Sequence, residues 1–197
     1  MKLSLEFFPP NNNDSDKIVK AYNELSFLKP RFVSVTYGAL GNAQNKSLDL
    51  VADLYAHKID TAAHLTIANK TIEDIELIIN RFIQKGVNKI VALRGDCPNN
   101  NYKQHPMGFS RTAEFVDFIV KKGLEAFVSS YPEPHPDSES FEVDLALLKD
   151  KQKAGASKAI TQFCFSKDAY SRLMDESHKN GIDIEITPGI MPIYNIN

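Results

Sequence analysis

Seven short runs of apolar and β-branched residues punctuate the chain, at 2–8, 31–38, 61–67, 88–95, 124–131, 158–165 and 182–190. Each has the length of a strand and is nearly continuous in apolar character, as strands covered on both faces are. Between them the period changes. In "TIEDIELIINRFIQKG" (71–86), Ile72, Ile75, Ile78, Ile79 and Phe82 fall on one helical face, and Thr71 and Asp74 stand at capping-box spacing. "AEFVDFIVKKG" (113–123) carries Phe115, Phe118 and Ile119 in the same way. Gly86, Gly123, Gly155 and Gly181 each sit where a helix should end before the next strand. Strand starts recur at roughly the length of one βα unit.

This alternation predicts a parallel sheet covered by helices, either an open doubly wound sheet or most of a barrel. The polar residues discriminate. Glu6, Thr36, His64, Arg94 with Asp96, Tyr131 and Gln162 all lie at or just past the C-terminal ends of their strands. In a barrel those ends converge on one mouth, whereas an open sheet would spread them along an edge. No GxGxxG follows the first strand. The expected fold is therefore α/β, a (β/α)8 TIM-type barrel that is incomplete, with seven strands visible and the eighth missing. Residues 1–197 are expected to form a single catalytic barrel domain, shortened at its C-terminus, with strands one and seven as unpaired edges. Two long loops hang from the mouth, 96–109 and "YPEPHPDSES" (131–140), the second stiffened by three prolines around His135.

Composition narrows the partners. The net charge is −2 with 24% charged residues and no basic run, which argues against nucleic acid or an anionic membrane as the main partner. No apolar run approaches the ~20 residues of a membrane span. Cys97 and Cys164 lack CxxC spacing and fit a reducing cytosol, so a cytoplasmic protein is expected. His57, His64, His105, His135 and His178 show no ligand spacing, and no metal site is expected. One residue stands out. In "LSLEFFPP" (3–10), Glu6 sits among Leu3, Leu5, Phe7 and Phe8, where an unpaired carboxylate costs several kcal/mol unless neutralised or paired. Pairing with a lysine or arginine is the ordinary explanation; a chemical use is the other.

"EFFPP", "VSVTYGA", "HLT", "VALRGD", "YPEPHP", "AGASKAITQFCF" and "EITPGIMP" resemble, in order and spacing, the methylenetetrahydrofolate reductase family over nearly the whole chain. The resemblance implies a flavoprotein barrel. FAD takes a hydride from NADH or NADPH and passes it to 5,10-methylenetetrahydrofolate, giving 5-methyltetrahydrofolate for methionine synthesis. Glu6 matches the family's general acid, which protonates the departing nitrogen as the folate ring opens to an iminium cation. Asp96 matches the aspartate near the flavin N1–C2=O edge and the pterin, and so serves catalysis, cofactor and substrate alike. Gln162 matches a substrate-contacting glutamine.

Thr36, His64, Arg94, Gly95, Tyr131, His135, Asp144 and Lys151 match flavin contacts, with Phe109 and Ser110 in the adjoining loop. On the residues alone, His64 is equally a core histidine and Asp96 an N-cap. Asp144 and Lys151 are equally a solvated face of "EVDLALLKDKQK" (142–153). Family members are often oligomers, so a homo-oligomer is expected. Two other readings stay open: a non-catalytic flavin- or folate-binding partial barrel that works beside a partner, and a FAD barrel like proline dehydrogenase. The "EFFPP" acid and the "RGD" aspartate count against the last.

Overall fold

The computed structural model describes residues 2–10, 15–36, 42–95 and 104–192, the side chains of 42–46 excepted. Strands and helices alternate along it: β1 (Leu5–Phe7), α1 (Ser15–Leu25), a 3-10 turn (Ser26–Leu28), β2 (Val33–Val35), α2 (Asn42–Ala56), β3 (Thr61–Thr66) and α3 (Ile72–Gln84). There follow β4 (Lys89–Leu93), α4 (Thr112–Lys121), β5 (Glu125–Ser130), α5 (Phe141–Lys153), β6 (Lys158–Phe163), α6 (Lys167–Lys179) and β7 (Glu185–Gly189). All seven strands form one sheet in sequence order, and every neighbouring pair is parallel. This is the expected barrel short of one strand, with β1 and β7 as its edges among the described residues.

The strands are shorter than the apolar runs that announce them. β1 ends at Phe7 because Pro9 and Pro10 offer no N–H to a ladder. Helix ends follow local chemistry. The Thr71 hydroxyl accepts from the Asp74 N–H and the Asp74 carboxylate accepts from the Thr71 N–H, both at 3.0 Å, so the expected capping box starts α3. Ser140 and Ser166 cap α5 and α6 one-sidedly, each hydroxyl accepting from an N–H of the first turn. Gly86, Gly123, Gly155 and Gly181 all have positive φ just past their helices.

Side-chain alternation gives the sheet two unlike faces. Val33, Val35, Ala63, Leu65, Ile90, Ala92, Ala126 and Val128 point outward and pack under the helices with Ile75, Ile79, Phe115 and Ile119. The concave face carries a smaller apolar layer, Phe32, Ala62, Val91 and Phe127, with Leu93 and Ile160 against it. Phe32 and Phe127 reach each other across that face with ring centroids 5.1 Å apart.

An ion cluster closes the floor. The Glu185 carboxylate on β7 accepts from the Arg31 guanidinium at 3.0 and 3.1 Å and from Lys158 Nζ at 2.8 Å. Lys2 lies 3.5 Å away. Arg31 lies two residues before β2 and Lys2 just ahead of β1, so these contacts bring the β1–β2 end of the sheet to β7 and show how far it curls. The Lys158 hydrogen bond, helped by Arg31, holds the Glu185 carboxyl down at about 2. Its contribution to stability is therefore complete above the ordinary value of 4.5 and is lost as pH falls from there toward 2. We predict that Glu185→Gln lowers the urea midpoint at pH 7 and flattens the acid limb of stability between pH 4.5 and 2; an acid limb identical to that of the parent chain would show that the cluster does not hold the floor.

Candidate active site at the barrel mouth

Three groups of polar side chains rise from the strand ends. The first lies on the concave face of β1 to β3. Glu6 is in register with Ser34, and both face inward because their neighbours Leu5, Phe7, Val33 and Val35 pack outward. The Ser34 hydroxyl donates to Glu6 Oε2 at 3.3 Å. His64 Nε2 lies 3.4 Å from the same oxygen, yet it makes no aligned hydrogen bond and is otherwise a buried polar atom without a partner. Burial raises the Glu6 carboxyl above its ordinary range, and the Ser34 hydroxyl partly offsets the rise. Burial also pushes His64 down to about 4, so this contact is not an ion pair at neutral pH. The lysine or arginine that would make Glu6 an ordinary surface ion pair is not what meets it. A neutral imidazole and a hydroxyl do.

The second group gathers where β5 meets α5. Lys151 is buried, and its Nζ donates to the Ser129 carbonyl at 2.9 Å. Burial brings it down to about 8, with the Asp144 carboxylate working the other way. Asp144 in turn accepts from the His135 N–H at 2.8 Å, and the His135 ring meets Tyr131 edge-on at 4.8 Å. Tyr131, Asp144 and Lys151 thus line a cavity of about 20 Å³, enough for one water, and His135 packs on Tyr131 and bonds to Asp144. "EVDLALLKDKQK" is charged throughout, but Lys151 is not on its solvated face.

The third group rims the mouth between β3 and β4. Arg94 donates to Asp137 of the proline-rich loop at 2.7 Å. Gly95 has φ +87°, and a Cβ there would sit 2.7 Å from Thr66 Cβ, so the turn after β4 requires glycine. Lys70 is buried beside it, with Nζ 3.3 Å from Thr66 Oγ1.

Other candidates are more scattered. Thr36 donates its N–H to the Phe7 carbonyl at 3.1 Å and accepts the Ser47 hydroxyl on its own carbonyl at 3.0 Å. Gln162 is exposed on β6, with Oε1 taken by the Phe163 N–H at 2.9 Å. Phe109 is turned into the outer core, against Phe115 and Phe118 at 5.4 and 5.3 Å. Ser110 is bonded through its N–H and hydroxyl to Glu114. Asp96 lies outside the described residues.

Ser34, Asp137 and Lys70 were not anticipated. Ser34 had a signal, as the lone polar position inside "VSV"; Lys70 had none, since a lysine before a helix cap reads as solvated. Among the described residues no group of three His, Cys, Asp or Glu is placed to hold a metal, and no helix is long and apolar enough to cross a membrane.

Comparison with known proteins bears on this arrangement. The sequence profile of the methylenetetrahydrofolate reductase family matches residues 1–197. The 5,10-methylenetetrahydrofolate reductase of Buchnera aphidicola from Schizaphis graminum is 41% identical over 99% of this chain, and that of Escherichia coli K12 is 36% identical over 99%. The chain spans 66% of the length of each of these relatives. Among solved structures, a Clostridium thermocellum protein that binds two copies of 5-methyl-5,6,7,8-tetrahydrofolic acid superposes with a TM-score of 0.65. It shares 14% identity, over 95% of this chain and 65% of that one, which is a likeness of fold. A 2,3-dimethylmalate lyase superposes at 0.60 with 8% identity, over 95% of this chain and 74% of that one.

We predict that Gly95→Ala destabilises the chain by about 1–3 kcal/mol, from the left-handed backbone and the Thr66 contact together. Thermal unfolding checks it, and a midpoint unchanged from the parent would mean that the turn can relax.

Proposed function

The chain belongs to the methylenetetrahydrofolate reductase family, and on that footing we propose that residues 1–197 carry the catalytic chemistry of 5,10-methylenetetrahydrofolate reduction to 5-methyltetrahydrofolate, with FAD as cofactor and NADH or NADPH as reductant. The observation that carries the reading is Glu6. Its carboxyl is held above the ordinary range by burial, faces the concave side, and among the described residues has no cation beside it to keep it ionised. A carboxyl so placed holds its proton more firmly than an exposed one and can deliver it.

The residues at the mouth suit a flavin dinucleotide. Its diphosphate asks for cations and open backbone, and Arg94, Lys151 and the side-chain-free Gly95 supply both. Its adenine asks for an aromatic surface, and Tyr131 with His135 offers one. When bound, FAD supplies the hydride transfer between nicotinamide and folate. What the chain's own groups do is protonic and positional. Glu6 gives its proton to the departing nitrogen of the folate's five-membered ring; the C–N bond breaks, and an iminium cation remains to accept hydride. Gln162 has a carboxamide NH2 to offer the pterin, and Asp96 would set a negative charge near that cation. The work of such an enzyme, in one-carbon metabolism ahead of methionine synthesis, belongs to the cytoplasm.

The purified chain mixed with FAD and passed through gel filtration tests the cofactor. We expect a retained flavin absorbance that NADH or NADPH bleaches and 5,10-methylenetetrahydrofolate restores. Folded chain that emerges without flavin sinks the cofactor assignment, and flavin that neither reductant bleaches favours the non-catalytic binding reading. We further predict that Glu6→Gln slows the folate step by about 100-fold or more, the usual contribution of a general acid, and far more than it slows reduction by the nicotinamide. Equal losses in the two steps would remove Glu6 from the acid role.

A further inference from the structure

Glu6 Oε2 is approached from two sides by groups that do not depend on any cofactor. The Ser34 hydroxyl donates to it at 3.3 Å, and His64 Nε2 stands 3.4 Å away. The imidazole is locked on β3 between Ala63 and Leu65, both packed into the outer core, so it faces the concave side with little freedom. Its Nε2 is buried with no aligned hydrogen bond, an unfavourable condition that a bond to Glu6 would relieve. We propose that His64 is a positioning residue for Glu6: its neutral Nε2–H donates to Glu6 Oε2, so that Oε2 is occupied by two donors and the transferable proton is confined to Oε1. The proposal rests on the reading of Glu6 as the general acid.

The chemistry decides the direction of the bond. An unprotonated Nε2 would draw the acid proton toward the wall and compete with the substrate nitrogen for it. A protonated Nε2 instead leaves Oε1–H as the donor. Once that proton has gone, the two donors on Oε2 stabilise the carboxylate in a site where no cation among the described residues does so. Burial keeps His64 neutral down to about 4, so the imidazole remains a donor without becoming a charge. The other charged groups of the concave side lie at its ends. Arg31, Lys158 and Glu185 are joined at the floor, Arg94 is paired with Asp137 at the mouth, and Lys70 sits beside Thr66. No titratable group on β2, the neighbour of β1, shares the contact.

His64→Leu and His64→Gln test this, since the glutamine amide carries an N–H to about the same place. Two readouts are taken. The first is the pH titration of the protonated-carboxyl C=O infrared band, assigned to Glu6 by its loss in Glu6→Gln. The second is the pH profile of the folate step against the nicotinamide step in the FAD-loaded chain. We expect His64→Leu to raise the Glu6 titration by about one pH unit, a tenfold weaker acid. The ratio of the folate step to the nicotinamide step should fall, and His64→Gln should restore both. A Glu6 titration unmoved by His64→Leu overturns the proposal. So does a glutamine variant that behaves as the leucine one, or a loss shared equally by the two steps, which would assign His64 to the cofactor alone. If the parent chain binds no FAD, the functional reading fails by itself, while the infrared titration of the bare chain still decides the His64 contact.

Discussion

Every strand of this sheet turns alternate side chains into a continuous outer core beneath the helices, and that constraint governs everything the inner face can carry. Val33 and Val35, Ala63 and Leu65, Ile90 and Ala92, Ala126 and Val128 are nearly or wholly buried on the outer side. Their period of two leaves Ser34, His64, Val91 and Phe127 no choice but the concave side. Lower in the barrel those inward positions are filled by Phe32, Ala62, Val91 and Phe127, which exclude water from beneath the site. Higher up they turn polar. The result is an apolar floor with polar groups above it, and groups in such a setting are the ones whose proton affinity shifts. Glu6, His64 and Lys151 all shift in the direction that disfavours charge, and burial is the leading cause each time.

How much of this could be read beforehand depended on the range of the interaction. The period of two, the helical faces and the C-terminal glycines are local, and they were legible: all seven strands, the Thr71–Asp74 box and the four glycine stops are present. The convergence of strand-end residues on one side followed from the parallel order. Side-chain partnership was not legible, because it joins residues far apart in sequence. Nothing local distinguishes Lys151 from Lys149 and Lys153 on α5, yet only Lys151 reaches the Ser129 carbonyl across a buried corner. Arg31 and Glu185 lie 154 positions apart, and their contact is a consequence of curvature that no local pattern expresses. Phe109 is the converse case, a loop aromatic next to a proposed binding segment whose ring is held by Phe115 and Phe118 in the outer core.

The mouth also shows how one residue can satisfy a structural and a chemical demand at once. Gly95 is required by its positive φ and by the closeness of Thr66, and the same lack of a side chain leaves backbone open at the strand end. Arg94 next to it is tied to Asp137, which anchors the proline-rich loop over the barrel. Asp137 is held well below the ordinary carboxylate range by that guanidinium, so the tie persists across neutral pH. Among the described residues, the β4–β5 side of the mouth is thus held by a glycine turn, an ion pair and a proline loop.

Glu6, the proposed acid, stands on the opposite side, on β1, and that position has a kinetic logic. A carboxyl buried as deeply as His64 would have a higher proton affinity still, but it would be cut off from the solvent that must reload it after each transfer. Glu6 has a side chain 37% exposed, against 10% for His64 beside it. It is buried enough for its carboxyl to be raised above the ordinary range and open enough for a proton given up to be replaced. The inner neighbour is far less exposed, with its Nε2 buried, and on the proposal above it defines which oxygen carries that proton. A proposed acid at the sheet edge with its proposed orienting group two strands further in, on β3, divides supply from direction between two residues, and the parallel register of β1, β2 and β3 sets that division.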